Sequence, residues 1–252
     1  MAFRKSWGYG RSHGRPEEVV FPSDKGIQIL HDRELISGSS FSDQERSPKS
    51  FSLDHQLLLN WFRIHLIHME RMIPSLSVNF LTDGVYAGRL FTRSLQNPPL
   101  SRLQGEFIPD GIFGIKHRET GTALLFFLEV DMSTETMASR GKHTSSIHQK
   151  ILRYQELFRN ERYKCLEEVF ESRLKGFRLL FLTNTEARLA ALCRLIEHLD
   201  NVDFVWLADQ ARMFAHGLSA NIWVRGCRFS DPRSSILRPD LAVDSPVIPT
   251  IR

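Results

Sequence analysis

Beyond residue 50 the apolar positions of this chain fall into two rhythms. Leu53, Leu57, Leu58, Trp61, Phe62, His65, Leu66 and Met69 recur at helical spacing with Pro74 behind them, which predicts a long amphipathic helix over Leu53–Met72. Ser77–Leu81 and Tyr86–Phe91 read as short strands, and Gly105–Ile115 alternates around Pro109-Asp110-Gly111. Ala123–Val130 is a nearly continuous apolar run, as expected of a strand covered on both faces. Ile147–Leu174 is helical in period, Phe177–Thr183 is a second buried strand, Glu186–Leu199 a helix and Phe204–Leu207 a further strand. Helices alternating with strands predict an α/β fold, a mixed central sheet flanked by helices. Outside this region the pattern thins. Residues 1–36 hold only short apolar stretches, 37–50 is Ser-rich and reads as a linker, 51–228 carries the α/β pattern, and 229–252, with four prolines and little periodicity, reads as a loose tail.

Composition narrows the classes. No apolar run approaches the roughly 20 residues of a membrane span, which excludes an integral helical membrane protein. Cys165, Cys193 and Cys227 form no CxxC pair and have no His at zinc spacing, so neither a disulfide framework nor a zinc ribbon is indicated and a reducing cytoplasm fits. The 33 Lys and Arg exceed the 29 Asp and Glu by only four. The excess is concentrated, however: Arg140–Lys164 has seven basic residues, among them Arg140, Lys142 and Arg153, against Glu156 and Glu161. The opening segment places Arg4, Lys5, Arg11 and Arg15 among Trp7, Tyr9 and His13 with no acid between Phe3 and Arg15. Basic residues interleaved with aromatics suit a nucleic-acid backbone, as well as a solvated terminus.

The candidate chemistry sits between these patches. Glu129 and Asp131 are two apart on one predicted strand, so both leave the same face at its C-terminal end, where open sheets place ligands. With Asp110 beside that strand, Asp110, Glu129 and Asp131 would hold a hard cation such as Mg²⁺. Lys150 lies on the edge of the apolar stripe formed by Ile147, Ile151, Tyr154 and Phe158, which directs it inward, with Tyr154 one turn on. Glu70 is a further acid on the first helix. Each piece has a plainer counterpart: Asp-Gly suits a hairpin turn, and a helix lysine suits solvent. No GxSxG, HExxH, Walker A or GxGxxG arrangement occurs.

Leu53–Arg71, Ile108–Glu135, Lys150–Tyr154 and Phe177–Thr183 together resemble the replication-relaxation family of plasmids and other bacterial mobile elements, over about residues 15–225. Gly14–Phe21 and Lys25-Gly26-Ile27 are similar to the closing wing of that family's winged helix and the turn after it. The resemblance thus implies a truncated winged-helix remnant in 1–36, with the recognition helix upstream of Met1. The core is also similar to PD-(D/E)XK nucleases, which implies a restriction-endonuclease-like fold with Asp110 and Glu129 as metal-binding acids. Asp131 stands where that superfamily usually has lysine, and Lys150 on the following helix is the substitute. What the resemblance implies is a DNA-binding protein of plasmid replication, relaxation or mobilisation, working with DNA and other such plasmid proteins. The resemblance leaves two modes open: an Mg²⁺-dependent endonuclease or nickase, or a catalytically inactive DNA-binding or partner-binding accessory that keeps the fold as scaffold.

Overall fold

The computed structural model describes residues 4–7, 17–20, 24–33, 50–81, 109–133, 146–237 and 239–245. The chain divides into two units, Met1–Lys49 and Ser50–Arg252. In the first, β1 (Arg4–Trp7) pairs antiparallel with β2 (Glu17–Val20), and α1 (Asp24–Asp32) follows. Arg4 and Lys5 stand in β1; Arg11, Arg15 and most of the expected linker lie outside the described residues.

The second unit is built on a six-stranded mixed sheet. α2 (Ser50–Met72) buries Leu58, Phe62, Leu66 and Met69, one stripe of a 3.6-residue repeat, and stops before Pro74, which cannot supply the next backbone N–H. β3 (Leu76–Leu81), β4 (Gly111–His117) and β5 (Ala123–Asp131) pair antiparallel in succession. β6 (Phe177–Thr183) and β7 (Val205–Asp209) then continue parallel to β5, and the short β8 (Val224–Arg225) closes the sheet antiparallel. The expected strand at Tyr86–Phe91 lies outside the described residues.

Because strand side chains alternate, the apolar runs of β5–β7 feed two cores at once. Phe126, Leu128, Leu180, Leu182 and Trp206 pack under α2. Leu125, Phe127, Leu179, Phe181 and Leu207 pack under α3 (Ile147–Arg159) and α5 (Glu186–Ile196). The helical period seen through Leu174 is broken in space. α3 ends at Asn160, whose N–H bonds Glu156 and Phe158, Glu161 turns left-handed at φ 52°, and a 3₁₀ turn (Arg162–Leu166) leads into α4 (Glu167–Phe170). That corner lets Phe170 fold back over β4, where Gly114 has no Cβ to obstruct it; one would come within 2.6 Å of the Phe170 ring.

After β7, α6 (Gln210–His216) returns to the α2 side. The segment beyond Asp231, expected to be loose, is packed over much of its described length. Ile236 and Leu237 are in the core, Ser234 bridges Trp223, and Arg178 donates to the Ile236 carbonyl while its guanidinium lies 4.3 Å from the Trp206 ring. Ser245 N–H then bonds the His216 carbonyl. Isolated apolar residues between prolines have no period, yet they fill a gap that other elements leave. Among the described residues, no helix is long and apolar enough to cross a membrane.

Candidate active site

The antiparallel register Gly111↔Leu128 sets the residue before β4, Asp110, beside Glu129 of β5. The Asp110-Gly111 dipeptide is therefore the start of a strand and no hairpin turn. Gly111 also gives the Phe80 ring room, since a Cβ there would come within 2.6 Å of it. Asp110 Oδ2 accepts the backbone N–H of Val130 at 2.7 Å, which ties the two strand ends together and aims the carboxylate along the sheet edge. Glu129, 2% exposed, faces the α3 layer.

Both neighbouring helices send a side chain here. α3 is started by Ser146, whose hydroxyl accepts the Gln149 N–H, and it buries Ile147, Ile151 and Tyr154 against the sheet. On that same side Lys150 Nζ reaches Glu129 Oε2 at 2.8 Å, and one turn later the Tyr154 hydroxyl donates to Glu129 Oε1 at 2.7 Å. From α2, on the opposite face, His55 Nε2 lies 3.1 Å from Asp110 Oδ2. The cluster thus spans the sheet edge: His55 and Asp110, then Glu129, Lys150 and Tyr154.

Burial dominates its electrostatics. Removal from water pushes Glu129 up from the usual carboxylate range to about 7; the charge and hydrogen bond of Lys150 pull it down, and the Asp110 carboxylate adds to the rise. Burial drives the Tyr154 hydroxyl well above its ordinary value, with the Glu129 charge acting in the same sense. At His55 burial lowers the imidazole pKa, but the Asp110 hydrogen bond and the charges of Asp110 and Glu129 outweigh it, so His55 holds its proton above its usual range.

Of the other expected residues, Asp131 has partners of its own. Arg188 of α5 donates to it from Nε at 2.7 Å and Nη2 at 3.3 Å, and Ser133 N–H bonds it at 2.9 Å, so its oxygens are committed to arginine and backbone. Glu70 faces neither acid; it accepts from Val78 N–H and pairs with Arg118 at 3.0 Å, bracing α2 to the β3–β4 edge. Arg153 is half-buried on α3, and Arg140 and Lys142 lie outside the described residues. Two residues were missed at the sequence level. His55 precedes Phe62 by seven residues and Met69 by fourteen, so it extends the buried stripe of α2, a signal that was present. Arg188 had none, because its partner is 57 residues distant.

As a cation site the cluster offers two carboxylates; among the described residues, no three His, Cys, Asp or Glu side chains are grouped as a metal cage. Mg²⁺ is commonly held by one or two carboxylates with water filling the remaining positions, so Asp110 and Glu129 fit that ion as donors. A carboxylate oxygen also retains a lone pair after accepting one hydrogen bond. No curated protein and no solved structure matches the chain. The pairing of Asp110 with Glu129 and the approach of Lys150 and Tyr154 involve the segments on which the resemblance rests, and the replication-relaxation family matches continuously over residues 3–171, more than half of the sequence; the chain belongs to that family.

Proposed function

We propose that this protein acts on DNA in plasmid replication, relaxation or mobilisation as an Mg²⁺-dependent phosphodiester hydrolase, nicking or cutting through the Asp110–Glu129 corner. Family membership supports the replication or relaxation role. The observation that carries the chemistry is the 2.8 Å contact of Lys150 with Glu129, made beside Asp110 at a strand end. The mixed sheet with helices on both faces and its acids at the strand ends also supports a restriction-endonuclease-like core. When bound, Mg²⁺ would supply charge neutralisation at the phosphate and a lowered pKa for a bound water. Asp110 and Glu129 would hold it. Lys150, a compact charge on a flexible stem, would neutralise a phosphate oxygen or orient the attacking water. Tyr154 fixes one Glu129 oxygen so that the other faces Lys150, and His55 holds Asp110 from the opposite face.

A second reading is supported by the same carboxylate: both Glu129 oxygens already accept a hydrogen bond, which suits a closed, silent scaffold that binds DNA or a partner protein without cutting. Supercoiled plasmid incubated with the protein and Mg²⁺ separates the two. Hydrolysis requires nicked or linear product from wild type and its loss in Asp110→Ala, Glu129→Ala and Lys150→Ala. Equal product from all four proteins ends the nuclease proposal. Salt-dependent mobility shift without product selects the scaffold, because phosphate contacts weaken steeply with salt.

A further inference from the structure

At the end of α3 far from Glu129, Gln155, Phe158, Arg159, Asn201, Asp203 and Phe204 line a cleft of about 360 Å³. Phe158 is unusual for its type, with 42% of its surface exposed. Its ring is nevertheless held: it stacks on Phe204 at 5.9 Å, meets Phe177 edge-on at 5.4 Å and tilts against Tyr163 at 5.8 Å. It also lies against bare backbone at Gly176, where a Cβ would approach it to 3.1 Å. The polar groups of the cleft are positioned as well. Gln155 Nε2 is fixed on the Asp200 carbonyl, Asp203 pairs with Arg228, and Asn201 sits in a left-handed turn at φ 55°. Among the described residues, Arg159 makes no ion pair.

A fixed aromatic ring open to solvent beside a guanidinium, amides and a carboxylate matches a flat, polar aromatic ligand that carries an anion. A hydrocarbon would leave the Arg159 guanidinium without a counter-charge, and a simple anion would leave the ring uncovered. We propose that the cleft receives a nucleobase stacked on Phe158, with Arg159 facing the attached phosphate. The volume lies within the range of small-ligand sites, and base stacking on aromatics is a general mode of single-strand binding. The base would belong to an unpaired DNA strand or to a free nucleotide. Phe158 comes eight residues after Lys150, about 12 Å along the helix axis, so the inference does not depend on whether the Glu129 corner hydrolyses DNA.

The test is fluorescence anisotropy with the full chain in EDTA, which keeps plasmid chemistry out of the readout. The probes are a labelled single-stranded DNA of mixed sequence, the same length of abasic strand, and deoxyguanosine monophosphate as competitor. Phe158→Leu, which keeps apolar bulk, should weaken the normal strand about tenfold while abasic binding stays unchanged, and Phe158→Tyr should restore it. Arg159→Gln should weaken both strands. Competition by the mononucleotide assigns the site to free nucleotide, and its absence assigns it to a strand; both support the inference. Equal affinity for normal and abasic strands, an unchanged Phe158→Leu, or no binding by either probe overturns it, whatever the plasmid assay gives.

Discussion

Along one edge of the sheet, acids that are buried or nearly so stand in two neighbouring regions and keep different company. At the β5–β7 edge the register aligns Asp131, Thr183 and Asp209, and each of the two acids there is met by an arginine and a backbone N–H, Arg212 also reaching Glu186. Asp131 has Arg188 and Ser133, while Asp209 caps α6 through Arg212 N–H at 3.0 Å and takes Arg212 Nε at 3.1 Å. At the β4–β5 corner there is no arginine: Glu129 takes Lys150 and Tyr154, and Asp110 takes His55 and the Val130 N–H. The first region is compensated locally, as a structural ion-pair row should be. In the second, burial raises Glu129 in spite of Lys150 and the Asp110 carboxylate adds to the rise, a perturbed acid of the kind that marks functional sites.

The comparison is broken most forcefully at Glu129. Glu129→Gln keeps the shape but cannot ionise and has one acceptor oxygen where Lys150 and Tyr154 use two; on the hydrolase reading it should lower Mg²⁺-dependent plasmid nicking by about 100-fold or more. Asp131→Asn should do the reverse. Its loss leaves Arg188 poorly compensated in a nearly buried place, costing about 3 kcal/mol in urea unfolding, while nicking per folded molecule falls far less than in Glu129→Gln. If Asp131→Asn is the more damaging to nicking, the division between the two regions is wrong.

Metal-free stability against pH sharpens the contrast. Glu129 is raised on folding from 4.5 to about 7, so the folded state holds the extra proton between those values and stability falls as pH rises through them, by about 2 kcal/mol between about pH 5 and 7. His55, also raised, contributes stability that is complete below its unfolded pKa and lost as pH climbs through the folded one, in the same direction. Urea titrations should show this slope in Asp131→Asn and a flatter one in Glu129→Gln. The smallest effect is expected at Glu70. Its partner Arg118 is half-exposed, and Glu70→Gln should cost no more than about 1 kcal/mol and leave nicking unaltered.

Much of the corner was legible because its parts are local. The apolar run of Ala123–Val130 announced a covered strand with Glu129 near its end, and the spacing of Lys150 and Tyr154 against Ile147 and Ile151 announced an inward reach. Where local pattern misled, a distant partner had decided the matter. The helix period continued past Asn160 although the chain turns there to bring Phe170 over Gly114, and the proline-rich end concealed Ile236 and Leu237, which fill the core beside Trp223. Glu70, expected as an accessory acid beside the other three, is held instead by Arg118 and Val78 of the neighbouring hairpin.

By itself, then, the amino-acid order determined which positions of each helix and strand turn inward, since that follows from periods of 3.6 and 2 residues within one element. It did not determine which buried acid receives which cation. Glu129 and Asp131 are indistinguishable by spacing on one strand, and only the placement of α3 and α5 over the sheet gave Lys150 to the first and Arg188 to the second. Charge pairing falls off over a few ångströms, so protonation at this corner was settled by distances between residues 20 or more apart in the chain.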